Sequence, residues 1–299
     1  MLASSAALAQ ERVEQARNEQ AQNLQFRTGA SVQESRLTSD AEQVPSTPGD
    51  PDLGEQVILK RRDKKTPFRF VVDLTGFYTS NAALTDKRAA EDLFLVAQAA
   101  LSYQTQIATD FYAEVTIREA SFRYAKLDEL DFESLNAGAG LTYICRPLWE
   151  LALSARYNFN RLTDGSQHNE FFKNHTLTLG AQKTFELSKA HYVYAGYAST
   201  LGWSEPVAPQ RNEHGFYLGY HANLTRTLSA DVNYRVAYFD YLHNRGDWNQ
   251  NVAVSLKWEA TQWLNVSASA SLGMNDSNRD PFDYQVFSGG VGITASLSF

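Results

Sequence analysis

The chain has 299 residues, 43% hydrophobic and 20% charged, enough apolar material for a sizeable core in one large domain or two ordinary ones. Its formal charge of −7, from 27 Lys and Arg against 34 Asp and Glu, argues against a broad positive face for nucleic acid. One cysteine, Cys145, excludes an internal disulfide and a thiolate zinc site, and no window approaches the ~18 consecutive apolar residues of a membrane-spanning helix.

Residues 1–9 end in Ala7-Leu8-Ala9, an A-x-A-like cleavage site without a basic leader or a full apolar stretch. They read as the remnant of a secretory signal peptide. Residues 10–67 read as a polar extension. Gln10 to Gln25 is rich in Glu, Gln and Arg, with only Val13, Ala16 and Leu24 as an apolar stripe, so a solvated helix or disorder is expected. Residues 28–56, including Pro45-Ser-Thr-Pro-Gly-Asp-Pro51, carry too little apolar surface to fold alone. The run Lys60-Arg-Arg-Asp-Lys-Lys65 reads as a solvated charge run flanking the domain.

From Phe68 to Phe299 the hydrophobic period is two. Phe68, Phe70, Val72 and Leu74 share a face, with Arg69, Asp73 and Thr75 opposite. The pattern recurs in Leu93–Tyr103, Phe111–Ile117, Leu135–Tyr143, Leu153–Phe159 and Leu177–Phe185. It returns in Val193–Tyr197, Phe216–Leu224, Leu228–Tyr238, Val252–Trp258, Leu264–Leu272 and Val291–Phe299. These twelve segments approach the ~9–11 residues with which a tilted strand crosses a bilayer. Short connections are expected near 105–108, 146–148, 186–190, 225–227 and 260–262. Longer ones are expected at 81–92, 125–133, 162–170, 204–213, 240–247 and 275–283. Short turns at one rim and long loops at the other predict an up-and-down barrel with both termini at the short-turn rim.

Alternation alone does not say which face looks inward; a soluble barrel has its apolar face inside, a membrane barrel outside. Charges on the polar face (Arg69, Asp73, Glu114, Arg118, Arg156, Asp231, Arg235, Lys257 and Glu259) point to a wet or hydrogen-bonded lumen. Trp149, Trp258 and Trp263 lie beside short turns, Trp203 and Trp248 beside long loops, as two interfacial belts would require. The fold expected is all-β: a twelve-stranded antiparallel up-and-down transmembrane β-barrel at 68–299.

On these residues the chain resembles bacterial outer-membrane β-barrel (porin-like) proteins as a class. Gly290-Val-Gly-Ile-Thr-Ala-Ser-Leu-Ser-Phe299 is similar to the C-terminal signal read by the barrel-insertion machinery, with Leu297 in place of a second aromatic and glycine at 292. The resemblance implies the bacterial outer membrane as location, with both termini periplasmic, outer-membrane lipid as surroundings and the insertion machinery as a partner through Phe299.

No enzyme is expected. His168/His175 and His214/His221 are each seven residues apart, so two histidines on one strand would face opposite sides and form no metal site. A lipid hydrolase would need serine and histidine together on the outer face, and the outward His191 and Ser199 lie about 26 Å apart along a strand. His221-Ala-Asn223 loosely resembles a phospholipase signature without its serine. No cofactor motif is present. The six loops hold sixteen Asp and Glu against six Lys and Arg, a net of −10 that would attract cations.

The expectation is a passive channel for small polar solutes, its selectivity set by Arg69, Asp73, Glu114, Arg118, Arg156, Asp231, Arg235 and Lys257. In a confined lumen these charges are expected to pair across the bore. The alternative is a closed barrel acting as a structural or interaction protein through its loops or N-terminal arm.

Overall fold

The computed structural model describes Arg17 and residues 66–299, apart from 88, 166, 167 and 243. The expected signal remnant at 1–9, and the expected extension at 10–67 save Arg17, 66 and 67, lie outside the described residues. Twelve strands follow in order: β1 (Phe68–Thr79), β2 (Asp92–Ala108), β3 (Phe111–Tyr124), β4 (Phe132–Cys145), β5 (Leu151–Asp164) and β6 (Glu170–Ser188). The second half comprises β7 (His191–Glu205), β8 (Arg211–Asn223), β9 (Leu228–Tyr241), β10 (Arg245–Glu259), β11 (Leu264–Ser277) and β12 (Tyr284–Ser298). Each strand pairs antiparallel with its chain neighbours, and β1 closes on β12 with Leu74 opposite Ile293, so the barrel has no free edge. Phe68 and Phe299 exchange both backbone hydrogen bonds, at 3.1 and 3.0 Å, and their rings stack with centroids 5.7 Å apart.

The apolar face looks outward, as the alternation and the charged opposite face require. On β1, Phe70, Val72 and Leu74 are exposed on the exterior while Asp73, Thr75 and Phe77 are buried inside. Closure makes this arrangement possible without unpaired backbone groups facing lipid. All five tryptophans project outward at the rims: Trp149, Trp258 and Trp263 at the short-turn rim, Trp203 and Trp248 at the other.

The connections differ from expectation at one rim. Short turns stand at 109–110, 146–150, 189–190, 224–227 and 260–263, the first of them beyond the expected 105–108, where β2 continues to Ala108. Of the six longer loops, only 80–91 is long. The stretches expected at 162–170, 204–213 and 240–247 contract to 165–169, 206–210 and 242–244. Pairing continues where apolar alternation stops: Asp247 faces inward and Trp248 outward, in register with Phe239 and Tyr238. Acidic residues that read as loop therefore stand on strands: Glu133 on β4, Glu213 on β8 and Asp247 on β10.

Candidate lumenal site

The lumen divides into two storeys. The lower, toward the short-turn rim, is a cavity of about 570 Å³ lined by Arg69, Asp73, Glu114, Arg118, Arg156, Asp231 and Lys257 among Ser, Thr, Asn, Gln and Gly. Seven of the eight charged residues expected to line the lumen thus share one chamber. Arg235 stands apart, with its guanidinium 2.9 Å from Glu213 in the upper storey.

Glycine makes the lower storey roomy. On β4, Gly140 stands between Glu114 of β3 and Arg156 of β5 in register, and a side chain there would lie against the Arg156 guanidinium. With none, Arg156 reaches over β4 to Glu114, at 3.1 Å. Thr116 Oγ1 donates to the same carboxylate at 3.1 Å. Asp73 accepts from Thr75 Oγ1 at 3.0 Å and from Thr294 Oγ1 at 2.7 Å. Asp231 pairs with the buried His221 Nδ1 at 2.8 Å, while His221 Nε2 meets Asn223 Oδ1 at 3.2 Å and its ring stacks on Tyr192. Lys257 lies 3.8 Å from Glu259.

Pairing was expected across the bore; these pairs run along the wall. Neighbouring inward side chains sit one or two interstrand spacings apart, about 5–10 Å, closer than the opposite wall.

The upper storey is filled, which the wet-lumen expectation missed. On its β1–β6 side the inward face turns apolar: Phe77, Phe94, Val96, Phe122, Phe132, Leu162 and Phe172 form a buried cluster. Phe122 and Phe132 stack at 4.1 Å, Phe77 and Phe94 at 5.1 Å. On the β8–β12 side the filling is charged. Arg211 Nε and Arg235 Nη2 each lie 2.9 Å from Glu213. Asp247, fully buried, takes Arg245, Asn275 Nδ2 at 3.1 Å and Ser277 Oγ. Arg211 lies 3.8 Å over the Phe239 ring, and Arg245 3.4 Å over Phe282, joining cation to aromatic. Arg17 also sits at this rim: it donates to the carbonyls of Glu129 and Asp131, lies 3.7 Å from Asp164 and covers Phe171 at 4.6 Å.

Outside the barrel, serine and histidine do meet. Ser199 and His214 are cross-strand partners on β7 and β8, with Ser199 Oγ 3.3 Å from His214 Nδ1. Strand pairing brings together residues fifteen apart, which distance along one strand could not reveal. Tyr197 Oη competes for the same nitrogen at 2.9 Å, and no acid or amide orients the ring's other nitrogen among the described residues. Nor, among those residues, do three His, Cys, Asp or Glu side chains gather as a metal site. At the short-turn rim, Arg146 clamps the neighbouring turn through two hydrogen bonds to Asp110, at 2.9 and 2.7 Å. That partner holds its guanidinium pKa above the ordinary arginine value.

A closed antiparallel barrel with an apolar exterior, tryptophans at both rims and a polar lumen defines an outer-membrane β-barrel. No protein-family model matches the chain, and no curated protein matches it in sequence. Among solved structures it is similar to an outer membrane channel from Pseudomonas putida F1, at 10% identity over 81% of this chain and 100% of that one, with a TM-score of 0.53. The KdgM porin in complex with disordered oligogalacturonate shares 8% identity over 76% of this chain and 99% of its own, at a TM-score of 0.44. LpxR from Salmonella typhimurium shares 9% over 75% and 99%, at 0.45. The first of these likenesses supports a common barrel fold; identities this low carry no activity across.

Proposed function

We propose that this protein is a non-enzymatic barrel of the bacterial outer membrane that takes small polar solutes into its lower chamber and holds its loop-rim mouth shut at rest. One observation carries the reading: a roomy polar chamber and a close-packed stopper occupy the same lumen. The chamber resembles the polar interior of solute-passing barrels. The stopper, with Phe122, Phe132, Phe172 and Phe239 at most 1% exposed, has the burial of a protein core. The short-turn rim is taken as periplasmic, which puts the two ends of the barrel, Phe68 and Phe299, there, and Phe299 serves as the handle for insertion. A permanently closed structural barrel is the second reading, favoured by the buried aromatic cluster and the buried Arg245–Asp247 pair that share the upper storey.

Planar-bilayer recordings test the proposal. Wild-type protein is expected to give no sustained open-pore current. Phe122→Ala with Phe132→Ala is expected to raise the current severalfold by removing the stacked pair. A steady wild-type current that these substitutions leave unchanged would overturn the stopper. Silence from the inserted double variant would overturn solute passage and leave the structural barrel.

A further inference from the structure

We propose that the lower chamber binds a small dicarboxylate between Arg69 and Arg118; this rests on the chamber being a solute site. The argument begins with what is left over after the wall charges pair. Glu114, the acid two pleat repeats from Arg118, is taken by Arg156 and Thr116. Asp73, at the same distance from Arg69, is taken by Thr75 and Thr294. Neither Arg69 nor Arg118 has a carboxylate within ion-pairing distance among the described residues, and Arg118 Nε is buried without a hydrogen-bond partner. A buried guanidinium donor without an acceptor is costly, so the site is incomplete as it stands.

Register sets the two arginines on either side of a recess. Arg69 of β1 faces Ser102 of β2, and Arg118 of β3 faces Ala100. Ser102 and Ala100 are consecutive inward positions with small side chains, and both line the cavity together with Thr116 and Asn136. Two interstrand spacings and one pleat repeat separate the arginine Cα atoms by about 12 Å. Both arginines line the same cavity, and an arginine offers a bidentate donor fork that matches one carboxylate. A dianion with its acid groups several bonds apart fits this spacing and offsets both charges. Ser102, Thr116 and Asn136 supply neutral polar contacts along the carbon chain. The cavity reaches the short-turn rim, since its lining includes Arg69 and Asn265, each the second residue of its strand.

The test is calorimetric titration of the whole protein in detergent micelles with succinate, its neutral diamide succinamide, and inorganic phosphate. Succinate is expected to bind, succinamide not, and phosphate more weakly than succinate. Arg118→Gln and Arg69→Gln are each expected to weaken succinate at least tenfold. Glu114→Gln, which releases Arg156 into the chamber, is expected to tighten it. Heat-modifiable gel mobility reports that each variant is folded. The proposal is overturned by equal binding of succinate and succinamide, by phosphate outbinding succinate, by no succinate binding to folded wild-type protein, or by arginine variants that bind as wild type. Binding in micelles needs no passage through the stopper, so this outcome is independent of the bilayer recordings: conduction without succinate binding would sink the dicarboxylate alone.

Discussion

Gly219 and Gly196 lie under the rings of Tyr194 and Tyr217, in reciprocal register across the β7–β8 pair. A Cβ at either glycine would occupy space the opposing ring already fills. Tyr217 then donates to Gln182 Oε1 at 3.0 Å and Tyr194 to Asn233, so each ring is held at both ends. Gly219→Ala is therefore expected to destabilise the barrel by about 1–3 kcal/mol through overpacking, measured as a lowered urea midpoint in micelles. An equal midpoint would mean that Tyr194 moves aside without loss. The same residue-scale logic explains Gly140, where the missing side chain lets Glu114 and Arg156 meet over an intervening strand. Glycine and inward polarity were both visible in the sequence. Their partners were not, because which wall position faces which depends on register rather than on spacing along one strand.

At the scale of elements, the strands are longer at the loop rim than the apolar alternation alone indicates. β6 runs 19 residues and β10 runs 15. The upper end of β10 is polar on the inner face because it builds the charged half of the stopper, and polar composition reads as loop. Arg245 and Asp247 show the consequence: both are almost wholly buried and bound to each other. Arg245→Ala leaves Asp247 buried with its cation removed, a change expected to cost about 3–5 kcal/mol. Thermal unfolding followed by gel mobility checks this; an unshifted transition would show that Asn275 and Ser277 satisfy Asp247 alone. The apolar half of the stopper had a readable signal. In Leu93-Phe94-Leu95-Val96 both faces are apolar, a pattern of burial on both sides. Phe94 and Val96 are the inward members and lie in the aromatic cluster.

For the whole molecule, the decisive property is an exterior band of Phe, Leu, Val and Ile bounded by two rims of tryptophan. Lipid-facing tryptophan at both rims is expected to be quenched by brominated acyl chains once the protein is reconstituted, and to be unaffected by the same lipids added as separate vesicles. Fluorescence indifferent to brominated lipid after reconstitution would contradict the outward orientation. The division of the lumen also belongs to this scale. Its lower half is polar with about 570 Å³ of free volume, and its upper half holds aromatic and charged packing. The acids once legible as a cation-attracting loop set are partly engaged there: Glu213 with Arg211 and Arg235, Asp247 with Arg245.

Period-two patterning determined the strand count, because alternation is local and repeats with every strand, and the charges of the polar face with tryptophan at the strand ends turned the apolar face outward. It also placed the charged residues on the inner wall, since side-chain direction follows parity alone. Only the tertiary structure decided which of those charges meet: Arg156 with Glu114, His221 with Asp231, Ser199 with His214 on the opposite face. It alone showed that the upper lumen holds packed aromatic and charged side chains. Closure of a lumen depends on how side chains from non-neighbouring strands fill a shared volume, and no pattern along a single strand records that sum.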